Sequence, residues 1–350
     1  MLRIVGSCEQ RLFGLLPFQR LERQWGRGED LVLVAHAATV LSDPAIDWLV
    51  ENAGTALTTP EGRSTAVACR PHEAASAAEW IEHGHAPASL NPAQLEPMFI
   101  RKLRRRDTLL VRNLEESPRG LVERELFATV YKGVTDLITK YVWPVPAFWA
   151  TKACARSGVG PNAVTLVGMV LVVAVALLWL EGRIVAGLGL AWLMTFLDTV
   201  DGKLARVTVT SSAVGNILDH ATDIVHPPIW WICLAVGLAA QAGGAADAIW
   251  IACATILGGY VLGRLIEELF KWRIGYNAYL WRPFDSRFRL IVSRRNIILL
   301  IMSAGLLIGQ PVAAFVAAAV WTVLSVGVQL VRLVQANGAR SAGGADMWLK

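Results

Sequence analysis

The sequence predicts an α-helical integral membrane bundle of six transmembrane helices, preceded by a cytoplasmic N-terminal α/β domain. Three observations lead there. Apolar residues make up 54% of the chain, their surplus lies almost wholly after about residue 160, and four aspartates, Asp198, Asp201, Asp219 and Asp223, are set into that apolar part. An ionised carboxylate in a bilayer-facing segment costs roughly 2.5–3.5 kcal/mol or more, so each of the four needs a partner that returns that energy. Divalent metal ions are the natural candidates.

Residues 1–115 read as a small α/β unit. Short apolar runs at Leu2–Val5, Leu31–Ala35, Thr55–Leu57, Thr65–Cys69 and Thr108–Val111 fit buried strands, and DPAIDWLVEN and EAASAAEWIEH fit helices opened by acidic or capping residues. This alternation favours a mostly parallel sheet with helices on its faces. The opening MLRIVGSCEQRLFG has too short an apolar stretch for a secretory signal, which places the unit in the cytoplasm. The five cysteines form no CxxC pair or zinc spacing, and Cys233 and Cys253 sit in apolar spans, which argues against a disulfide framework and a zinc site.

Residues 116–160 form a linker and a juxtamembrane amphipathic helix. Just before them, MFIRKLRRR at 98–106 reads as a solvated helix end and linker, or as a basic patch touching anionic lipid. In ELFATVYKGVTDLITKYVWPVPAFW, tryptophan, tyrosine and lysine alternate with apolar positions, the composition of a helix lying on the membrane surface.

Six hydrophobic spans follow, approximately 162–181, 184–204, 213–239, 246–270, 296–309 and 311–333, within a membrane domain of 161–337 and before a tail of 338–350. Most are near the ~20 residues that cross a bilayer, and the fifth is short. The segment between spans four and five carries Lys271, Arg273, Arg282, Arg287, Arg289, Arg294 and Arg295 against one acid, whereas LEGR, QAGGAAD and GQP on the opposite side are nearly uncharged. Positive loops stay inside, so both termini and the loop Lys203–Ser212 are expected on the cytoplasmic side of the inner membrane. The formal charge of +5 does not point to nucleic acid, because the basic residues lie between spans rather than on a soluble face with stacking aromatics.

Asp198 and Asp201 are three residues apart, Asp219 and Asp223 four apart, so each pair shares one helix face. A short connection lets the pairs oppose each other. Four converging carboxylates cannot all ionise without counter-charge, and Lys203 and Arg206 are the only cations near them in sequence. Hard oxygen ligands select Mg²⁺, Mn²⁺ or Ca²⁺, and two ions about 4 Å apart are the usual way to hold a diphosphate during displacement at phosphorus. Gly202, Gly215 and Ala205 keep the helix surfaces low so that a nucleotide can approach, and Arg206 adds a fixed charge for phosphate or for an acid.

Together these residues spell D-x2-D-G-x2-A-R-x8-G-x3-D-x3-D, which resembles the signature of the CDP-alcohol phosphatidyltransferases. The resemblance implies a six-span enzyme that cleaves the diphosphate of a CDP-linked donor, releases CMP and passes the remaining phosphoryl group to an alcohol. It implies Asp198, Asp201 and Asp219 as ligands of Mg²⁺ or Mn²⁺, two ions in all, and Asp223 as a further ligand or as the base that takes the acceptor's proton. Gly202, Ala205, Arg206 and Gly215 would line the CDP pocket. Asn162 and Thr165, in the Pro-Asn-x-x-Thr element that opens the first span, would contact cytidine. CDP-diacylglycerol is the expected donor, with a soluble CDP-alcohol such as CDP-inositol and a phosphorylated polyol acceptor as the alternative within the class.

Arg264 lies inside span four, where burying its charge needs a reason, and is assigned to a phosphate on the acceptor. Arg294 and Arg295 open span five and either join it or anchor the cytoplasmic side. His220 and His226 read as hydrogen-bonded neighbours of the motif rather than ligands. The order of domains resembles bifunctional enzymes with a cytidylyltransferase at the amino end, but IVGSCEQRLFG lacks the Gly-rich basic loop and VAHAATVLSDP lacks the metal-binding aspartate of such enzymes, so an inactive scaffold or partner-binding domain is expected. A cation or proton transporter would spread its acids through the membrane depth on inverted repeats. None is visible here. Small residues at Ala313, Ala314 and Ala317–Ala319 serve internal packing or, by family analogy, a homodimer.

Overall fold

The structure, a computed structural model, describes the chain except residues 27–29, 102, 212, 342, 343, 345 and 350, and the described side chains also exclude 213–221. Contacts divide the chain into one unit of residues 1–132, 148–160 and 202–211 and another of residues 133–147, 161–201 and 212–350.

The first unit runs β1 (Leu2–Val5), α1 (Pro17–Gln24), β2 (Val32–His36), β3 (Thr39–Leu41), α2 (Asp43–Glu51), β4 (Ala56–Thr58), β5 (Ser64–Cys69), α3 (Ala74–His83), β6 (Ser89–Leu90), β7 (Met98–Ile100), β8 (Arg105–Asp107), β9 (Val111–Asn113) and α4 (Arg119–Thr129). Five strands form a sheet in the order β1-β2-β5-β4-β6. β2 and β5 are buried along their whole length because both sheet faces are covered. Leu33, Ala35, Ala66 and Ala68 join Leu21 of α1 and Ile46 and Leu49 of α2. The alternate residues Val32, Val34, Val67 and Cys69 join Ala77, Ala78 and Ile81 of α3.

The expected mostly parallel sheet is instead mixed. β1 pairs with β2 and β4 with β6 in parallel, but β5 runs antiparallel to both β2 and β4. Residues 59–63 alone join β4 to β5, too few for a crossover, so the chain can only turn back. The basic stretch at 98–106 likewise forms the β7–β8 hairpin, with Phe99 opposite Arg106, rather than a helix end. The strand expected at 108–111 begins at Val111 and pairs with β3.

A buried carboxylate ties down the next segment. Glu123 of α4 is 1% exposed and accepts from Lys152 of α5 (Pro144–Arg156) and from Arg119 Nε at 3.2 Å. Phe13, Phe127 and Phe148 pack beside it, with centroids 5.3–6.3 Å apart.

The second unit is built of α6 (Pro161–Leu180), α7 (Ile184–Val207), α8 (Ala213–Gln241), α9 (Ala246–Ile274), α10 (Pro283–Phe288), α11 (Arg295–Leu307) and α12 (Pro311–Ser341), with the last turn of α7 counted in the first unit. Among the described residues five helices are long and apolar enough to cross a membrane: α6, α7, the Thr222–Gln241 part of α8, α9 and α12. α11 has 13 residues, about 20 Å at 1.5 Å per residue. All five cysteines are free.

Tryptophans facing small residues set the helix spacing. Trp179, Trp230 and Trp231 are fully buried, and each of the first two spends its indole N–H on a main-chain carbonyl: Trp179 on Ile184 at 3.2 Å, Trp230 on Val172 at 2.9 Å. Gly187 and Gly237 leave them room. A Cβ on Gly237 would stand 1.9 Å from the Trp179 carbonyl oxygen, and one on Gly187 2.4 Å from the Trp179 ring. Ala314, Ala318 and Ala319 of α12 lie in the same core, so that part of the small-residue stripe packs internally.

At the entry to this unit, the buried Asp136 accepts from Asn296 Nδ2 at 3.0 Å, from the Thr139 N–H at 3.0 Å and from its hydroxyl at 2.8 Å. Burial alone would raise its pKa. These donors and the charge of Arg289 outweigh it and hold the carboxyl below its usual range.

Because a backbone carbonyl cannot swing aside, Gly237→Ala should destabilise the protein by roughly 1–3 kcal/mol. In detergent its thermal midpoint should fall by several degrees. Gly189→Ala on α7, where nothing lies within 4 Å of the added methyl, should leave it unchanged.

Candidate active site

The acids on the spanning helices find their partners across the bundle. Arg295, the first residue of α11, donates from Nη2 to Asp198 Oδ2 at 2.6 Å and from Nη1 to Asp223 Oδ1 at 3.1 Å. One planar fork therefore joins a carboxylate of α7 to a carboxylate of α8. His226, one turn beyond Asp223, completes the group: its Nε2 lies 3.0 Å from Arg295 Nη1 and its Nδ1 lies 2.6 Å from the Thr222 carbonyl. An arginine can only donate, so Nε2 accepts and Nδ1 carries the proton. Lys203 and Arg206, the cations nearest in sequence, both reach the Val130 carbonyl at the end of α4, at 3.4 and 3.2 Å, with Lys203 Nζ 3.5 Å from the Tyr131 ring centroid.

Asp201 is buried at 7% exposure and takes a different partner, the Thr165 hydroxyl of α6 at 2.7 Å. That hydroxyl also lies 3.1 Å from the Pro161 carbonyl, but its single proton favours the charged acceptor. Thr165, expected at cytidine, thus orients a motif acid, while Asn162 is exposed at the start of α6. The Asp219, His220 and Gly215 side chains lie outside the described residues. Gly202 and Ala205 continue α7 past Asp201, and the end of the Arg206 side chain lies across Gly202, 3.4 Å from where its Cβ would be.

Two prolines shape the helix next to the base candidate. Pro227 and Pro228 lie inside α8 and supply no N–H to the carbonyls of Asp223 and Ile224 four residues earlier. The Tyr260 hydroxyl of α9 stands in for them, 3.0 Å from the Ile224 oxygen and 3.4 Å from the Asp223 oxygen. The same ring lies 5.4 Å under the half-buried Arg264 guanidinium. Arg294 turns away from the aspartates to Glu267 of α9, which also accepts from Tyr279 Oη at 2.7 Å. Burial, then the Glu267 charge, pushes the Tyr279 phenol up to about 12, so it stays a donor. The structure therefore gathers Asp198, Asp223, Arg295 and His226, seats Asp201 on Thr165, and sends Arg294 to a separate ion pair.

Among the described residues no three acid, histidine or cysteine side chains gather as a metal site. Asp198 and Asp223 nevertheless meet at the Arg295 guanidinium, and carboxylate oxygens are the donor type that Mg²⁺ or Mn²⁺ takes.

Removing that group should be costly. Arg295→Met leaves Asp198 and Asp223 facing each other and should lower stability by about 2 kcal/mol, less than the 3–5 kcal/mol of a fully buried pair because Asp223 is 42% exposed. Arg295→Lys should recover only part of the loss, since an ammonium lacks the planar fork. Thermal unfolding in detergent at neutral pH measures both.

The model of the CDP-alcohol phosphatidyltransferase family matches residues 159–329. A stretch of 73 residues, 21% of this chain, is 37% identical to 38% of the archaetidylinositol phosphate synthase of Pyrococcus horikoshii. A stretch of 84 residues, 22% of this chain, is 32% identical to 36% of the phosphatidylinositol phosphate synthase of Mycobacterium marinum. The chain thus spans less than two fifths of the length of these curated relatives. The crystal structure of Mycobacterium tuberculosis phosphatidylinositol phosphate synthase with CDP-DAG bound aligns with 53% of this chain and 92% of its own at 20% identity and a TM-score of 0.41. That enzyme's complex with manganese and citrate aligns with 54% and 88% at 21% identity and 0.42. Four aspartates at the signature spacing fall inside the matched segment, and residues 159–329 are a CDP-alcohol phosphatidyltransferase domain.

Proposed function

We propose that the chain transfers a phosphatidyl-type group from CDP-diacylglycerol to a phosphorylated polyol of the inositol phosphate class, releasing CMP, in the synthesis of a polar lipid. The observation that carries this reading is the set of motif acids held on α7 and α8 around one cation. Two relatives named archaetidylinositol phosphate synthase and phosphatidylinositol phosphate synthase support the acceptor class. The membrane domain of 161–337 crosses the inner membrane six times, with α11 as a short fifth span, and dimerises by family analogy. The domain of 1–115, the linker of 116–160 and the tail of 338–350 stay in the cytoplasm.

Asp198, Asp201, Asp219 and Asp223 would hold Mg²⁺ or Mn²⁺. When bound, the cations neutralise the diphosphate and the charge on leaving CMP. Thr165 orients Asp201, and Gly202, Ala205, Gly215 and Arg206 receive the nucleotide, with Asn162 at the base. Asp223 takes the proton of the acceptor hydroxyl as its oxygen attacks the phosphorus that bears the lipid alcohol. A phosphorus–oxygen bond to the acceptor forms, the bond to the CMP oxygen breaks, and CMP leaves with the electron pair. Arg264, on the Tyr260 ring, binds the acceptor's phosphate, while Arg295 offsets the charge of Asp198 and Asp223 and Arg294 holds Glu267 of α9.

Purified protein given Mn²⁺ or Mg²⁺, CDP-diacylglycerol and a panel of alcohols should release CMP with an inositol phosphate and stop when EDTA is added. Asp223→Asn should lose roughly 10²–10⁴-fold in rate. CMP from a water-soluble CDP-alcohol instead would reassign the donor, and no CMP with any donor, or full activity in Asp201→Ala, would sink the reading. In the same assay Arg264→Gln should raise the acceptor KM about tenfold or more, the loss of one charge-assisted hydrogen bond, and leave the donor KM nearly unchanged. Equal effects on both would count against the assignment.

A further inference from the structure

The carboxyl end of α7 is finished by residues far away in sequence. A helix leaves its last carbonyls without helical N–H partners, and here each can be traced. Leu204 O receives the Thr208 N–H at 3.0 Å, Ala205 O the Thr210 N–H at 2.9 Å, and Arg206 O the Val209 N–H at 3.4 Å. The last two are the paired bonds of a Schellman cap, which needs a left-handed residue at its centre. That residue is Val209, with φ +52°. Glycine is usual there, and a β-branched side chain in this region is a genuine outlier that persists only where its surroundings hold it.

The holding groups come from α1. Arg20, 4% exposed, donates from Nη1 to the Val207 carbonyl, and Arg23 Nη1 donates to the Thr208 carbonyl at 2.7 Å. These are the two carbonyls that the cap itself does not serve, immediately before Val209. Two guanidinium charges also sit where the helix dipole is negative.

We propose that Arg20 and Arg23 of α1 clamp a strained cap on the motif helix, and that Arg20 is a positioning residue for the acids of α7. Asp201 lies six residues before Val207 and Asp198 nine, about 9 and 14 Å along a rigid helix, so an end that frays or rotates carries them with it. The catalytic consequence rests on the transferase reading above. The clamp itself does not.

The test is a cycle of Arg20→Met, Val209→Gly and the double variant in full-length protein, read by amide hydrogen exchange over residues 203–211 and by CMP release. Arg20→Met should speed exchange in that window by about tenfold and lower kcat by about tenfold or more while the donor KM stays within about twofold. Val209→Gly, which relaxes the cap, should restore both in the double variant, and Arg20→Lys should restore part. Arg23→Gln, at an exposed position, gives the same pattern more weakly and serves if Arg20→Met does not fold. Unchanged exchange in Arg20→Met, or a double variant no better than Arg20→Met, would overturn the clamp. If the wild type releases no CMP, the transferase reading fails, and exchange alone decides the clamp.

Discussion

A carboxylate on a membrane-spanning helix has to be met by positive charge, and in this chain the meeting point is Arg295. Its two Nη atoms reach Asp198 on α7 and Asp223 on α8, so three helices are tied at one point by charge rather than by apolar packing. Such a tie holds only if the helices arrive at the right depth and rotation. The remaining construction of this unit serves that end. Thr165 fixes Asp201 from α6, His226 presents its lone pair to the same guanidinium, and Asp136 anchors Asn296, the residue after Arg295, from the juxtamembrane turn.

The apolar part of the bundle supplies the stiffness. Lipid tails are as apolar as leucine, so helices in a bilayer gain little from hiding apolar surface and depend on close contact. Indoles against Gly187 and Gly237 and a Gly305 that would bring a Cβ to 2.1 Å from that of Ala314 show contacts with no slack. The carboxylates can then be held a few ångströms apart although they repel.

The motif was legible because its chemistry is local: two acids three apart and two four apart share a helix face whatever the tertiary fold. The arginine partner was not, since Arg295 is 97 residues from Asp198 and 72 from Asp223, and charge balance alone pointed to metal ions. The same limit applies to the sheet. Alternating apolar runs marked β1, β2, β4 and β5 within a residue or two, but strand direction depends on partners, and only the five-residue link between β4 and β5 carried a local sign of reversal. Thr165 stood out as a helix-opening residue; its hold on Asp201 depends on how α6 meets α7, which no local pattern encodes. Val209 gave no sign at all, because a valine after a helix reads as an ordinary loop residue.

Pro227 and Pro228 carry a consequence beyond the gap they leave in α8. By withholding two amide protons they free two main-chain lone pairs beside Asp223, and the one Tyr260 proton lies closer to Ile224 O than to Asp223 O. The main-chain oxygen of Asp223 keeps the longer contact to that hydroxyl, a neutral acceptor that adds polarity without adding to the repulsion among the acids. Cyclic side chains a full turn away can in this way alter the solvation of a carboxylate they never touch.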